Sequence, residues 1–208
     1  SWVLCNFCRK RNPRLPISQV EPILSILLKL LTTTTDATVL GDVCWALSYL
    51  SSSDDGLELV FDLNIVPDLM SLLDHESDRV LQAALRVLGN FASGENYMTD
   101  LMIDSGILPR LGKLLDSTVL SIRKEACWTV SNIAAGNLQQ TLDVVDGGYI
   151  PTLIDLVKIY SNKILLEVNP TFSFPNSKVV WTLANISIGD SKMRDLVLEY
   201  GALNPLIS

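Results

Sequence analysis

Apolar residues along this chain recur at the spacing of a helix, not of a strand. Val20, Ile23, Leu24, Leu27, Leu28 and Leu31 fall three and four residues apart, which makes one stripe of an α-helix. The pattern predicts a helix over 17–31, a break at the run of threonines ending in Asp36, and a second helix over 37–50. The same plan then repeats, with helices near 56–63, 66–73 and 78–92, and again near 96–104, 107–115 and 119–135. A further set starts at 138, bends at Gly147-Gly148 and continues over 149–160. Gly94, Gly106 and Gly136 mark breaks, with Gly94 read as the terminator of its helix. A proline stands early in each second helix (Pro22, Pro67, Pro109, Pro151, Pro205), and Pro22 is read as sitting in a first turn. The recurrence favours three helices per unit: short, medium and long.

A second pattern rides on the long helices. Trp2-x3-Asn6, Trp45-x3-Tyr49, Arg86-x3-Asn90, Trp128-x3-Asn132 and Trp181-x3-Asn185 align, with steps of 43, 41, 42 and 53 residues between first members. Residues four apart share one helical face, so each pair places a large side chain beside a polar one. A single Trp on a helix is ordinarily core, but regular repetition with a polar partner at i+4 reverses that reading. A period near 42 belongs to stacked two- or three-helix units. The expected organisation is the end of one repeat over 1–12, then repeats over 13–53, 54–94, 95–136 and 137–189, with a further repeat starting over 190–208. The long last step places an inserted loop over 161–176. Its turn residues flank Phe172 and Phe174, and it reads as a spacer in preference to a docking motif.

Composition narrows the classes. The 16 basic and 23 acidic residues leave a net charge of −7, which disfavours a nucleic-acid surface and suits a basic ligand. No apolar run approaches a membrane span, and no secretory signal is visible. The first and last residues both fall inside expected repeats, so the chain reads as a fragment. Cys44 and Cys127 precede matching tryptophans as small core residues do. Cys5 and Cys8 form a C-x2-C, but with no second pair and His75 as the single histidine, zinc is not expected. No metal, cofactor or enzyme chemistry is expected. His75 reads as a solvated turn, and neither a nucleophile elbow nor a P-loop or dinucleotide motif occurs.

The runs Asp42-Val43-Cys44-Trp45-Ala46-Leu47-Ser48-Tyr49-Leu50-Ser51, Ala84-Leu85-Arg86-Val87-Leu88-Gly89-Asn90 and Lys124-Glu125-Ala126-Cys127-Trp128-Thr129-Val130-Ser131-Asn132-Ile133 resemble the importin α family of armadillo-repeat nuclear import adaptors. The order Trp/Asn, Trp/Tyr, Arg/Asn, Trp/Asn, Trp/Asn is similar to that family's fourth to eighth repeats. The resemblance implies a right-handed α-solenoid whose third helices line a groove for an extended, Lys/Arg-rich localisation signal. Each Asn would clamp the peptide backbone with donor and acceptor together. The indoles would form slots for the stems of basic side chains, and nearby carboxylates would finish the ammonium.

By resemblance, Trp128, Asn132, Trp181 and Asn185, with Ser131 and Glu125 beside them, form the ladder of a minor site. Ala92, Gly94 and Thr99 would hold its most buried lysine, and Arg86 and Asn90 would belong to the same ladder, with Arg86 at the position that divides it from a major site. Trp2, Asn6, Asp42, Trp45 and Tyr49 would be the end of that major site. The implied partners are basic cargo peptides and importin β, the latter through a segment not in this sequence. The implied location is shuttling between cytoplasm and nucleus. One departure stands out: Lys178 occupies a position where the family carries Glu, so the far end of the minor site is expected to be weakened. An armadillo scaffold for a different peptide partner (cytoskeletal, adhesion or signalling) is the alternative.

Overall fold

The computed structural model describes residues 1–9, 16–160 and 173–204. Every long regular element among them is helical: α1 (Trp2–Arg9), α2 (Ile17–Thr33), α3 (Ala37–Leu50), α4 (Asp54–Phe61), α5 (Val66–Leu72), α6 (Asp78–Phe91), α7 (Asn96–Asp104), α8 (Ile107–Leu115), α9 (Leu120–Ala134), α10 (Leu138–Asp146), α11 (Ile150–Tyr160), α12 (Ser173–Gly189) and α13 (Ser191–Glu199). The chain divides into two compact units, residues 1–107 and 108–208.

Several helix starts are chemically specified. The Asp36 carboxylate accepts from the Thr38 and Val39 amides at 2.8 and 3.0 Å, satisfying donors at the head of α3. Those bonds hold its pKa below the usual carboxylate value. Asn137 and Gln140 form a reciprocal capping box on α10, and Asp190 caps α13 through the Met193 amide at 2.9 Å. The turn from first to second helix needs a left-handed residue each time. Gly106, Gly148 and Gly201 have φ of 81°, 75° and 80°, and Asn64, with φ 55°, occupies the matching place one repeat earlier. Asn is among the non-glycine residues that tolerate this region best.

In the first unit the long helices stack in order, α1 on α3 and α3 on α6, with α2 and α5 packed behind. Leu27, Leu47, Leu69, Leu85, Leu88 and Phe91 are fully buried between them, each contributing roughly 1.5–3 kcal/mol. Phe61 meets Phe91 and Tyr97 edge-on, at centroid separations of 5.1 and 5.6 Å. In the second unit α12 packs on α9, α10 and α11, burying Val130, Ile133, Leu153 and Ile186.

Three expectations need correction. Pro22 lies inside α2, which runs unbroken from Ile17 to Thr33, so it is not in a first turn. Gly94 does not end α6, which stops at Phe91. A Cβ at Gly94 would come within 2.7 Å of Leu57 and 2.8 Å of Met98, so close packing explains the glycine. Ser173 to Asn176 belong to α12 and not to the inserted loop; the remainder of that loop, with Phe172, lies outside the described residues, and so does Pro205.

Candidate functional site

The stacked long helices present the aligned pairs. In the first unit Trp2 is 69% exposed, and the Asn6 side chain donates to the Trp2 carbonyl at 2.9 Å. Trp45 and Tyr49 are half-buried and stack on each other, with centroids 6.0 Å apart and ring planes at 28°. Arg86 is half-buried and Asn90 is buried. In the second unit Trp128 and Asn132 are half-buried on α9, while on α12 Asn185 is half-buried and Trp181 is 63% exposed.

Asn90 and Asn185 are each held by a bond that reaches back one repeat. Asn90 Nδ2 donates to the Ser48 carbonyl at 2.9 Å, and Asn185 Nδ2 donates to the Ser131 carbonyl at 3.2 Å. Ser48 and Ser131 each precede the polar member of the previous pair, Tyr49 and Asn132. The sequence separations differ, 42 and 54, yet the structural register is the same. The extra residues between α11 and the ladder on α12 therefore leave the stacking of the long helices unchanged.

Asn90 spends its second amide proton on Ser51 Oγ at 2.8 Å. Both Nδ2 protons are therefore committed within the protein, unlike the free donor of the donor-and-acceptor clamp expected from sequence. Asn185 is less engaged, since Ala134 stands where Ser51 stands in the first unit.

Asp42 also differs from expectation. It is 2% exposed, its Oδ1 is ion-paired with Arg79 Nη2, and its Oδ2 accepts from Ser1 Oγ at 2.8 Å. Arg79 also reaches the Thr38 carbonyl at 3.4 Å and lies across Gly41, whose missing side chain leaves room for it. Asp42 thus ties α1, α3 and α6 together, and its charge is already answered. No local signal betrays Arg79, 37 residues away. Ser48 and Ser51 were likewise missed as partners, although Ser48 and Ser131 share one place in the repeat.

Glu125 and Ser131 are buried, as are Ala92 and Thr99, and Gly94 is half-buried. Lys178 is half-buried on α12, three residues before Trp181. The thiols are poor nucleophiles. Burial pushes Cys44 and Cys127 up to about 12 and Cys8 to about 11. Burial also raises Cys5, with the Asp42 charge adding to the effect. Among the described residues no helix is long and apolar enough to cross a membrane.

This geometry matches known proteins on two levels. The chain is 43% identical over 100 residues to importin subunit alpha-3 of Arabidopsis thaliana, covering 48% of this chain and 18% of the relative. It is 46% identical over 91 residues to importin subunit alpha-4 of the same plant, covering 43% and 16%. The chain thus spans less than one fifth of the length of these relatives. Among solved structures, a designed armadillo repeat protein in complex with the peptide (KR)4 superposes with a TM-score of 0.80 at 28% identity, covering 98% of this chain and 80% of that one. An engineered protein superposes with a TM-score of 0.81 at 27% identity, covering 99% and 80%. The armadillo/beta-catenin-like repeat is matched over residues 12–52, 53–93 and 96–135. With an all-helical fold, long helices in register across repeats and three matched repeats spanning most of its length, this chain belongs to the armadillo-repeat family, an α-solenoid, and resembles the importin α subunits within it.

Proposed function

We propose that this chain is part of a nuclear import adaptor and reads Lys/Arg-rich localisation signals in extended form. The observation that carries this is the arrangement on α12. An indole 63% exposed stands one turn from an amide whose donor is tied to the main chain of the preceding repeat. The tie orients Asn185 before any ligand arrives, so little entropy is lost when its Oδ1 accepts a peptide N–H. The apolar face of Trp181 then covers the methylene stem of a Lys or Arg, with cation–π attraction at the head group. Trp128 and Asn132 place a second such pair of residues, both half-buried, on α9, and Trp2 with Asn6, Trp45 and Tyr49 offer aromatic and polar surface in the first unit. The net charge of −7 favours encounter with a cationic peptide. We extend the proposal, on the resemblance to the importin α family, to cargo binding, an importin β partner and shuttling between cytoplasm and nucleus.

Calorimetric titration with a Lys/Arg-rich peptide tests the reading. Trp128→Ala/Asn132→Ala should weaken binding at least tenfold, about 1.4 kcal/mol. A folded wild-type chain that ignores the peptide, or a double variant that binds it equally well, would overturn the proposal.

A further inference from the structure

The Asp42–Arg79 pair lies at the head of two pair-bearing helix faces in the first unit. Asp42 stands three residues before Trp45 on α3, and Arg79 stands seven residues before Arg86 on α6. Each therefore shares a face with the aligned pair of its own helix. Position alone would make Asp42 the anionic group beside the Trp45 and Tyr49 rings. Its carboxylate is instead occupied by the chain itself. Oδ1 is ion-paired with Arg79 Nη2 and Oδ2 accepts from Ser1 Oγ at 2.8 Å. Asp42 is buried, whereas the Arg79 side chain is 47% exposed, so the guanidinium covers the carboxylate from the solvent side.

The guanidinium is seated by shape as well as by charge. Arg79 Nη1 donates to the Thr38 carbonyl at 3.4 Å. A Cβ at Gly41 would meet Arg79 Nη1 at 3.2 Å and its Cγ and Cζ at 3.4 Å, so the side chain lies against α3 where the glycine leaves room. It fills the place that a ligand's basic side chain would need in order to reach Asp42. A ligand gains little by displacing it. One charge-assisted hydrogen bond would be exchanged for another of the same kind. The resident group is also tethered to the site, at an effective concentration on the order of millimolar. Once expelled, its charge would repel the incoming cation.

We propose that Arg79 is a built-in occupant of this anionic position, a specificity-determining residue that closes it to the Lys or Arg of a bound peptide. The inference rests on the peptide-reading function proposed above. The first unit then meets a basic peptide through the stacked rings of Trp45 and Tyr49, without the Asp42 carboxylate behind them. Removing the Arg79 side chain opens the position. An ordinary surface arginine would act on a cationic peptide only through net charge.

The test is calorimetric titration of the whole chain with the peptide (KR)4 at low salt, with urea unfolding to establish that each variant is folded. Arg79→Ala should bind at least about fivefold more tightly than the wild type, with amide NMR shifts appearing at Thr38 and Gly41. Lys29→Ala removes the same charge from an exposed position on α2 and should change the affinity by less than about twofold. Arg79→Ala/Asp42→Asn should lose the gain. Arg79→Ala leaves a buried carboxylate without its cation; where it does not fold, Arg79→Gln, which drops the charge but keeps a donor, carries the same expectation. A folded Arg79 variant that binds no more tightly than the wild type would overturn the occupant role with the proposed function intact. So would a gain matched by Lys29→Ala, or one that survives Asp42→Asn. A folded wild type and folded variants that all ignore the peptide would overturn that function and this inference together.

Discussion

The two units place the same amide at the same register and use it differently. In the first, Asn90 is 7% exposed and its Nδ2 bonds both the Ser48 carbonyl and the Ser51 hydroxyl, bracing α6 against α3. In the second, Asn185 keeps the main-chain bond to Ser131, but Ala134 replaces the serine and a cavity opens beside it. One hydroxyl separates a closed brace from an open acceptor. In a repeat protein the scaffold term and the ligand term thus draw on the same side chains, and a small substitution moves a residue from one to the other.

Where the units agree, they should respond alike. Cys44 and Cys127 hold the same place before their tryptophans, and burial raises both thiols from 9.0 to about 12. Below 9 the thiols are protonated in both states, so they add no pH dependence. Above it the unfolded chain releases protons that the folded chain retains, so stability falls until about 12. Each thiol then removes up to ~1.4 kcal/mol per pH unit. Urea midpoints measured from neutral to alkaline pH should decline, with Cys44→Ala and Cys127→Ala each flattening the slope by a similar amount. Unequal flattening would break the equivalence of the two cores.

Where they differ, the amides should cost different amounts. Asn90→Ala removes two donors from a buried site and strands the Ser48 carbonyl and Ser51 hydroxyl; a loss of about 2–3 kcal/mol is expected. Asn185→Ala removes one longer bond from a half-buried site and should cost about 1 kcal/mol or less. Equal losses in urea unfolding would mean that the second unit is braced as tightly as the first.

This division was only partly legible in the sequence. Helical spacing, the period near 42 and the Trp/Asn pairs are local patterns, and they located the long helices that carry the aligned pairs. The brace was not legible, because Asn90 and Ser48 meet only when repeats stack. The Asp42–Arg79 pair was hidden for the same reason: a carboxylate near an expected slot reads as a ligand group until a distant cation is seen to hold it. Asn64 escaped notice at a left-handed turn because the sibling positions are glycines. Gly94, three residues past the end of α6, reads as a terminator in sequence, whereas its packing against Leu57 appears only in three dimensions.

The comparison can be sharpened by making the second unit imitate the first. Ala134→Ser supplies a hydroxyl where Ser51 stands, within reach of the second Nδ2 proton of Asn185. The bond should add about 1 kcal/mol of stability by committing the second Nδ2 proton of Asn185, as Ser51 does for Asn90. Stabilisation would be read from the urea midpoint. A variant with an unchanged midpoint would mean that the serine hydroxyl alone does not make the brace of the first unit.

The smallest effect concerns Lys178. It stands three residues before Trp181 on α12, so the two share a helical face, and under the proposed function its charge would repel a basic side chain seated on the indole. Surface pairs of this kind are worth about 0–1 kcal/mol, and screening shortens their reach to about 10 Å at 0.1 M salt. Lys178→Glu should therefore tighten a Lys/Arg-rich peptide by roughly threefold or less at low salt, with the gain fading as salt rises. The salt dependence is the discriminating part. A gain that persisted at high salt would point to a direct hydrogen-bonded contact instead of removed repulsion. No gain at any salt, in a variant that still binds through Trp128 and Asn132, would mean the peptide does not extend as far as Trp181, and the open acceptor at Asn185 would then lie beyond its reach.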